Sequence, residues 1–420
     1  MSLPPEVFRT GPDRVAYVPI DGDTDDATNQ HFLVLPSTSG RFLAVWTQSS
    51  RENNPDQRVV FAYSNDRGHT WTTPVVLDGP DGNDDRIASW GFPILAPDLG
   101  RLYVFYNKNV GAVDVREDTT GTLAFKYSDD DGETWSERHE APIERSAISS
   151  ADPAMPENWI CYQTPIQGPD GNVLCGFTRW ACNSFHSESH LFQRHSECFF
   201  LRFDNILTEF DPARLNVTTW PNAPHGIRVP KPDDPEHSVA QEPSIQNLPD
   251  GRIICLMRTL TGYIWWSVSS DAGKTWSDAE QLRFEPGGAS IPNPISPCPL
   301  YRLGDGRYAL IFHNNVGTAN GGDGPADAQR NRRPAWLSIG HTIDNPGGQP
   351  LAFGEPHVLA DSDGVAVMLD PSRRLRTHQS IAQTQIATYG SLFEFEGDTY
   401  WWYPDRKHFL LGKLINRWLR

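Results

Sequence analysis

Residues 64–71, with the sequence SNDRGHTW, decide the fold, because the same pattern returns at residues 128–135 and 269–276. All three copies read S-x-D-x-G-x-T-W. The Asp side chain can accept hydrogen bonds from backbone N–H groups of its own turn, and the Gly supplies a residue with positive φ. The Thr and Trp begin a strand whose indole anchors the turn to a sheet. A unit that repeats at long spacing predicts stacked copies of one supersecondary module.

A second repeat predicts the number of modules. Six apolar stretches each run into a Gly-centred turn and then into β-branched and aromatic residues, which is typical of a β-hairpin. The turn glycines are Gly40, Gly100, Gly171, Gly251, Gly306 and Gly397. We therefore predict an all-β fold, a six-bladed β-propeller of four-stranded antiparallel blades, which leaves few sheet edges exposed.

The repeats extend over nearly the whole chain. We interpret residues 1–420 as a single propeller domain with blades from about 25 to 415. Residues 1–24 are expected to form an N-terminal arm or a closing strand, and residues 409–414 another outer strand. Seven blades are the structural alternative, with a cryptic blade inside residues 179–240.

Composition and charge limit the possible partners. The chain has 36 basic and 53 acidic residues and a net charge of −17, which argues against nucleic acid or an anionic membrane as partner. No apolar run reaches the ~18 residues of a membrane span, and the N-terminus lacks the features of a signal peptide. We expect a cytoplasmic protein with six reduced cysteines. No cofactor is indicated, and the oligomeric state stays open.

The hairpins predict which side chains meet at one mouth of the propeller axis. Residues equidistant from an antiparallel turn lie side by side. Nine positions before the turn glycine, on the inner strand, several hairpins have a polar residue. Seven or eight positions after the glycine, on the second strand, several have a cationic residue. The polar residues are His31, Tyr162, Glu242 and, one step later, Tyr389; the cations are Lys108, Arg179 and Arg258. Such a cluster in a cleft favours a ligand site over a polar, water-filled channel.

The three boxes resemble the Asp box of the sialidase (neuraminidase) superfamily, whose members are BNR-repeat propellers. The segment from Glu242 to Arg252, followed by Arg258, is similar to the sialidase stretch with a base-like Glu and a carboxylate-binding Arg. Tyr389-Gly390-Ser391-Leu392, on the sixth inner strand, resembles the stretch of the family's Tyr nucleophile. The resemblance implies a glycosidase that releases an anionic terminal sugar, sialic acid or a related ulosonic acid.

Two further segments carry the resemblance more locally. Arg51-Glu52-Asn53-Asn54-Pro55-Asp56 is similar to the family loop with an Arg and, five residues later, the acid/base Asp. Arg333 precedes a degenerate box, where the family keeps another Arg of its carboxylate-binding triad. Sialidases also begin with an Arg-Ile-Pro motif that completes this triad. Neither Arg9 nor Arg14 matches that motif, which is a departure from the family.

The residue types fit the implied chemistry. A sialic acid has its carboxylate on the anomeric carbon, so an Asp or Glu nucleophile would face like-charge repulsion, whereas a neutral Tyr389 that Glu242 deprotonates avoids it. Guanidinium groups match the planar substrate carboxylate. In this scheme Asp56 protonates the leaving oxygen and later activates water.

Because no segment of the chain matches the Arg-Ile-Pro motif, a second interpretation of the site stays open. His31, Tyr162 and Arg179 have no role in the sialidase scheme. Relatives of this superfamily include polysaccharide lyases and glycosidases that act next to uronic acids with His, Tyr and Arg. In a lyase, Arg neutralises the uronate carboxylate while His or Tyr removes the C5 proton. A sugar-binding propeller without catalysis is the third interpretation.

One cluster of Cys and His residues raises the question of metal. Its members are Cys182, His186, His190, His195 and Cys198. The cluster lacks the spacing of an established zinc motif. We interpret this stretch as a loop that walls the cavity, and we predict no metal.

Overall fold

The computed structural model describes residues 3–20, 25–187, 190–328, 330–367, 384–386 and 388–420. Within these residues the chain forms 28 strands, and the helical segments are short 3-10 turns. Six sheets of four or five strands each contain one of the predicted hairpins. The predicted all-β, six-bladed propeller is confirmed.

The strands are numbered along the chain, and β1 is Arg14–Tyr17. Blade 1 contains β2 (Thr28–Pro36), β3 (Phe42–Ser49), β4 (Arg58–Ser64) and β5 (Val75–Asp78). Blade 2 contains β6 (Ala88–Ala96), β7 (Arg101–Lys108), β8 (Thr122–Ser128) and β9 (His139–Ala141). Blade 3 contains β10 (Trp159–Cys161), β11 (Ile166–Gln167), β12 (Val173–Trp180), β13 (Ser196–Phe203) and β14 (Val217–Trp220).

A two-stranded hairpin follows, made of β15 (Pro230–Lys231) and β16 (Asp234–Ser238). Blade 4 contains β17 (Gln241–Asn247), β18 (Ile253–Arg258), β19 (Trp265–Ser269) and β20 (Glu280–Gln281). Blade 5 contains β21 (Leu300–Arg302), β22 (Tyr308–Phe312), β23 (Ala335–Thr342), β24 (Leu351–Phe353) and β25 (His357–Ala360). Blade 6 contains β26 (Ser391–Phe395), β27 (Asp398–Asp405) and β28 (Phe409–Leu414).

The two ends of the chain close the ring. The order in the sixth sheet is β1-β28-β27-β26, so the N-terminal strand pairs antiparallel with the C-terminal one. Residues 179–240 supply strands to blade 3 and the small β15–β16 hairpin rather than a blade of their own. The seven-blade alternative is therefore wrong.

The repeated boxes have the predicted geometry. In the first, Asp66 Oδ1 accepts from Thr70 N at 2.8 Å and Asp66 Oδ2 accepts from Thr70 Oγ1 at 2.6 Å. Gly68 has φ +80°, and its N–H donates to Ser64 Oγ. The other two boxes repeat these bonds. The boxes therefore act as turn clamps and lie outside the cavity described below.

Each box indole packs on the preceding blade. The Trp135 ring lies 4.9 Å from Phe61 of blade 1, and the Trp276 ring stacks on Phe200 of blade 3 at 4.5 Å. Aromatic pairs at these distances contribute about 0.5–1.5 kcal/mol beyond their buried area. The box thus joins neighbouring blades and holds the ring in register.

A bulge at the start of three inner strands aims side chains at the axis. The pairing register shifts in β2, β6 and β17. At these shifts His31, Trp90 and Glu242 have φ of 56°, 59° and 48°. A bulge redirects a side chain and is frequent next to functional sites. A bulge of the same kind therefore positions one cavity residue in each of these three blades.

The six cysteines are buried, and none forms a disulfide in this structure. Cys161 Sγ and Cys175 Sγ lie 3.0 Å apart in blade 3. Among the described residues, no helix has the length and apolar character needed to cross a membrane.

Candidate functional site

A cavity of about 420 Å³ opens at one mouth of the axis, and residues of all six blades or their connecting loops line it. The large apolar lining residues, together called the apolar wall, are Trp90, Ile160, Trp180, Leu191 and Phe192. The cationic lining residues, together called the cationic wall, are Arg51, Arg116, Arg258, Arg332, Arg406 and Lys407. A cavity of this size with convergent polar groups suits a small amphipathic ligand.

Tyr389, Glu242 and Arg258 form a buried triad in this cavity. Tyr389 donates from its hydroxyl to Glu242 Oε1 at 3.0 Å and accepts from Arg258 Nη1 at 3.0 Å. Arg258 Nη1 also donates to Glu242 Oε1 at 2.5 Å. The structure therefore brings together three residues that lie up to 147 positions apart in the chain.

The backbone fixes each member of the triad. Glu242 stands on the bulge of β17, where its N–H donates to Thr178 Oγ1 of blade 3 at 2.6 Å. Arg258 ends β18 opposite Gln241, whose Oε1 accepts from Arg258 Nη2 at 2.6 Å and from Nε at 3.1 Å. These two bonds to Gln241 leave Arg258 Nη1 directed at the Glu242 carboxylate and the Tyr389 phenol.

Burial controls the electrostatics of the triad. Burial and the charge of Glu242 raise the pKa of Tyr389, the charges of Arg332 and Arg258 lower it, and the net result is a pKa of about 12. The phenol is therefore protonated at neutral pH and needs a base to become a nucleophile. Glu242 Oε1 is placed for that role, and its second oxygen is buried without a hydrogen-bond partner.

The fifth blade contributes Arg332 instead of the predicted Arg333. Arg332 lines the cavity, and its Cζ lies 5.7 Å from the centre of the Tyr389 ring. Arg333 donates to Asp361 Oδ1 at 2.9 Å and is not among the lining residues. Both arginines lie in the loop that precedes β23, and Arg332 is the one of the two whose side chain reaches the cavity.

The loop after β3 also differs from the prediction. Asp56 Oδ2 accepts from Ser50 N at 2.8 Å, which ties Asp56 to its own loop and away from the cavity lining. Glu52 lines the cavity in its place, and so does the exposed Arg51. Glu52 Oε2 accepts from Lys407 Nζ at 2.6 Å.

His31 and Tyr162 surround the Tyr389 ring. The His31 ring lies edge-on to it at 4.6 Å, and both His31 nitrogens are buried without a partner. Burial lowers the pKa of His31 well below its ordinary value, and Lys407 lowers it further, so the imidazole is neutral. Tyr162 lies 5.8 Å from Tyr389 and is almost fully buried outside the cavity lining.

The predicted cations Arg179 and Lys108 lie outside the cavity. Arg179 Nε is 3.4 Å from Glu157 Oε2, and Lys108 Nζ is 3.1 Å from Asp78 Oδ1. Both are the eighth residue after their turn glycine, whereas Arg258 is the seventh. Neighbouring residues of a strand point to opposite faces, so the seventh and eighth positions differ in direction, and of these three cations Arg258 is the one that lines the cavity.

The N-terminal arginines Arg9 and Arg14 do not line the cavity, so they do not complete a triad of carboxylate-binding arginines there. Arg9 Nη2 pairs with Asp363 Oδ2 at 2.9 Å, and Arg14 donates to the carbonyl of Arg67. The departure from the Arg-Ile-Pro motif is therefore a real difference in the site.

The Cys/His stretch forms hydrogen bonds among its own neighbours. His195 Nε2 lies 3.1 Å from Glu197 Oε1, which His225 Nδ1 also approaches at 2.8 Å. Among the described residues, which leave out 188 and 189 of this stretch, no group of three or more His, Cys, Asp or Glu is placed to hold a metal. The stretch does contribute Leu191 and Phe192 to the apolar wall, in agreement with the predicted wall loop.

Comparison with known proteins agrees with this architecture. Residues 40–393 match the BNR repeat-like domain family. The NanB sialidase from Streptococcus pneumoniae is similar in structure, with a TM-score of 0.59, 12% identity, and 96% of this chain and 70% of that chain covered. The intramolecular trans-sialidase from Ruminococcus gnavus matches with a TM-score of 0.58, 15% identity, and 95% and 96% covered.

A Hadza microbial sialidase, Hz136, matches with a TM-score of 0.58, 12% identity, and 94% of this chain and 67% of that chain covered. No curated protein sequence matches the chain. At these identities the structural likeness concerns the fold, whereas the family match covers most of the sequence. The chain belongs to the BNR repeat-like domain family, and its six-bladed propeller is the fold of the sialidases.

Proposed function

We propose that the protein is a glycoside hydrolase that releases an anionic terminal sugar, sialic acid or a related ulosonic acid. The observation that carries this proposal is the Tyr389 hydroxyl, which lies 3.0 Å from both Glu242 Oε1 and Arg258 Nη1 inside the cavity. A nucleophile held by a base, with the base oriented by a third group, is the signature of covalent catalysis.

The chemistry follows from the charges. Tyr389 is neutral, so it approaches a carbon that bears a carboxylate without like-charge repulsion. As its oxygen bonds to the anomeric carbon, the bond from that carbon to the leaving oxygen breaks and the phenol proton moves to Glu242. The Arg258 cation at 3.0 Å stabilises negative charge on the phenol oxygen during attack and departure.

The cationic wall supports an anionic substrate. Arg258 is largely occupied by Glu242, Gln241 and Tyr389. Arg332 is held by the Ile295 carbonyl at 2.7 and 2.9 Å. Arg332 also donates to Gln385 Oε1 at 3.2 Å, so its side-chain hydrogen bonds go to neutral acceptors and its positive charge is available to a substrate carboxylate.

A substrate panel tests the proposal. Wild type and Tyr389→Phe are assayed on sialosides, other ulosonic acid glycosides and uronate polysaccharides, with reducing-sugar release and ultraviolet absorbance as readouts. We expect wild type to release the anionic sugar and Tyr389→Phe to lose nearly all of that activity. Equal release by both proteins would contradict the proposed nucleophile.

A uronate lyase is the second candidate, favoured by the two unpartnered nitrogens of the neutral His31. A neutral imidazole next to a cationic wall is suited to remove a C5 proton. The Tyr162 and Arg179 of that scheme lie outside the cavity lining, so only His31 supports it. A lyase would leave an unsaturated product that absorbs in the ultraviolet and would depend on His31 rather than on Tyr389.

A further inference from the structure

Glu52 and Lys407 form an ion pair inside the cavity. Glu52 lies in the loop between β3 and β4, and Lys407 in the turn between β27 and β28, so the pair joins blades 1 and 6. The Lys407 Nζ to Glu52 Oε2 distance is 2.6 Å, and Arg116 Nη2 lies 3.6 Å from Glu52 Oε1. Both residues line the cavity that contains Tyr389.

A glycosidase of the proposed kind needs a group that protonates the leaving oxygen. Asp56, the residue implied by resemblance, is bound to Ser50 N and lies off the cavity. The described carboxylates that line the cavity are Glu242 and Glu52. Because Glu242 is engaged with the Tyr389 phenol, Glu52 is the carboxylate that remains for the leaving group.

The charges around the pair determine where its proton resides. Burial raises the pKa of the Glu52 carboxyl, but the charges of Lys407 and Arg116 outweigh burial and hold it well below its ordinary value. Burial lowers the pKa of Lys407; the Glu52 charge opposes this, and Arg332 adds to it. The transferable proton therefore resides on Lys407 Nζ, in an environment that favours its release.

We propose that Glu52 and Lys407 together act as the acid/base of this cavity, in place of Asp56. This inference rests on the proposed function. In the first step the Tyr389 oxygen bonds to the anomeric carbon, the bond to the leaving oxygen breaks, and Glu242 takes the Tyr389 proton. The leaving oxygen receives a proton from Lys407 Nζ through the Glu52 carboxylate.

The second step restores every group. A water oxygen bonds to the anomeric carbon and gives one proton to the Glu52–Lys407 pair. The Tyr389 oxygen leaves and recovers its proton from Glu242. One water is consumed, and no group changes its protonation over the full cycle.

Two probes with different leaving groups test the pair. Sialyllactose leaves as a sugar alcohol and needs a proton, whereas a 4-methylumbelliferyl sialoside leaves as a stabilised phenolate. We expect Glu52→Gln to lower kcat about 10²–10⁴-fold on sialyllactose and at most about tenfold on the aryl sialoside. Lys407→Met should show the same substrate dependence. The ratio of the two rates within one variant does not depend on the fraction of folded enzyme.

The matched control is Asp56→Asn, which should change both rates equally. If wild type turns over the probes but Glu52→Gln slows them by the same factor, or not at all, the acid/base assignment is overturned while the proposed function stands. The same holds if Lys407→Met keeps the wild-type ratio, or if Asp56→Asn alone shows the substrate dependence. A wild type inactive on both probes would instead contradict the proposed sialoside hydrolysis itself.

Discussion

Replacing Glu242 with Gln separates catalysis from stability in the buried triad. Gln keeps the volume and one carbonyl oxygen, so it can still accept from Arg258 Nη1 and Tyr389. It removes the negative charge that takes the phenol proton. We expect kcat to fall about 10²–10⁴-fold, the usual contribution of a general base, which corresponds to about 3–5 kcal/mol of barrier.

The stability cost is smaller and follows from the same contacts. Both partners of the ion pair are buried, with side-chain exposures of 5% for Arg258 and 1% for Glu242. Removing a buried partner altogether costs about 3–5 kcal/mol, but Gln retains an acceptor, so a loss near ~2 kcal/mol is expected. With an unfolding entropy of about 2.1 cal/mol/K per residue, this lowers Tm by only about 2 °C.

The assay is kcat on a sialoside at 25 °C beside a thermal melt, and Glu157→Gln is the matched control. Glu157 is a buried partner of Arg179, with 3.4 Å between Nε and Oε2, and lies outside the cavity lining. The control should lose similar stability and keep its kcat. Wild-type turnover by Glu242→Gln would refute the reasoning, and so would an equal kcat loss in Glu157→Gln.

Three other changes test separate parts of the site and the fold. Arg332→Met should lower kcat/KM for an anionic sugar about 100-fold, since a charge-assisted contact contributes about 1.5–3 kcal/mol. The control Arg333→Met should change kcat/KM less than about threefold, and steady-state kinetics of the two variants checks this. His31→Ala should leave Tyr389-dependent hydrolysis measurable, whereas complete loss of activity with Tyr389→Phe still active would favour a lyase. Burial raises the pKa of Asp66, but hydrogen bonds from Thr70 outweigh burial and lower the pKa to about 2. The ionised Asp66 carboxylate therefore stabilises the fold at pH values above its ordinary pKa of about 4. This contribution is lost as the pH falls towards 2. Urea unfolding of wild type and Asp66→Asn should therefore differ more at about pH 6 than at about pH 3.

The fold was predictable because its signals are local. The box turns and hairpin glycines specify backbone conformations within a few residues, and six copies leave little freedom in how they assemble. Counting back from each glycine also found His31, Glu242 and Tyr389, because strand pairing converts sequence distance into position on the axis. In blade 2, the residue nine positions before Gly100 is Gly91, whereas the residue that lines the cavity is its neighbour Trp90. The difference arises because four residues link Ala96 to Arg101, one fewer than in the corresponding turns of blades 1 and 4.

The positions of the remaining site residues depend on features that the pattern of a single sequence does not reveal. The second strands required a choice between the seventh and eighth positions after the turn glycine, and among the predicted cations there only Arg258, a seventh residue, lines the cavity. Glu52, Arg116 and Lys407 lie in loops and turns without periodicity, so nothing in the pattern predicts that they meet. Arg332 and Arg333 are neighbours in the loop before β23, and the pattern does not indicate which of the two turns towards the cavity. Apart from Arg258, which ends β18, the cationic residues of the cavity are therefore positioned by loop conformation rather than by the strand pattern.

A covalent trap tests the central claim most directly, namely that Tyr389 attacks the anomeric carbon. The protein is incubated with a sialosyl fluoride that carries a second fluorine beside the anomeric carbon, which slows release of the adduct, and is then digested and mapped by mass spectrometry. The account predicts one sialyl group per chain, attached to Tyr389 and absent from Tyr389→Phe. An adduct on another residue, or turnover of the reagent with no adduct, would contradict it.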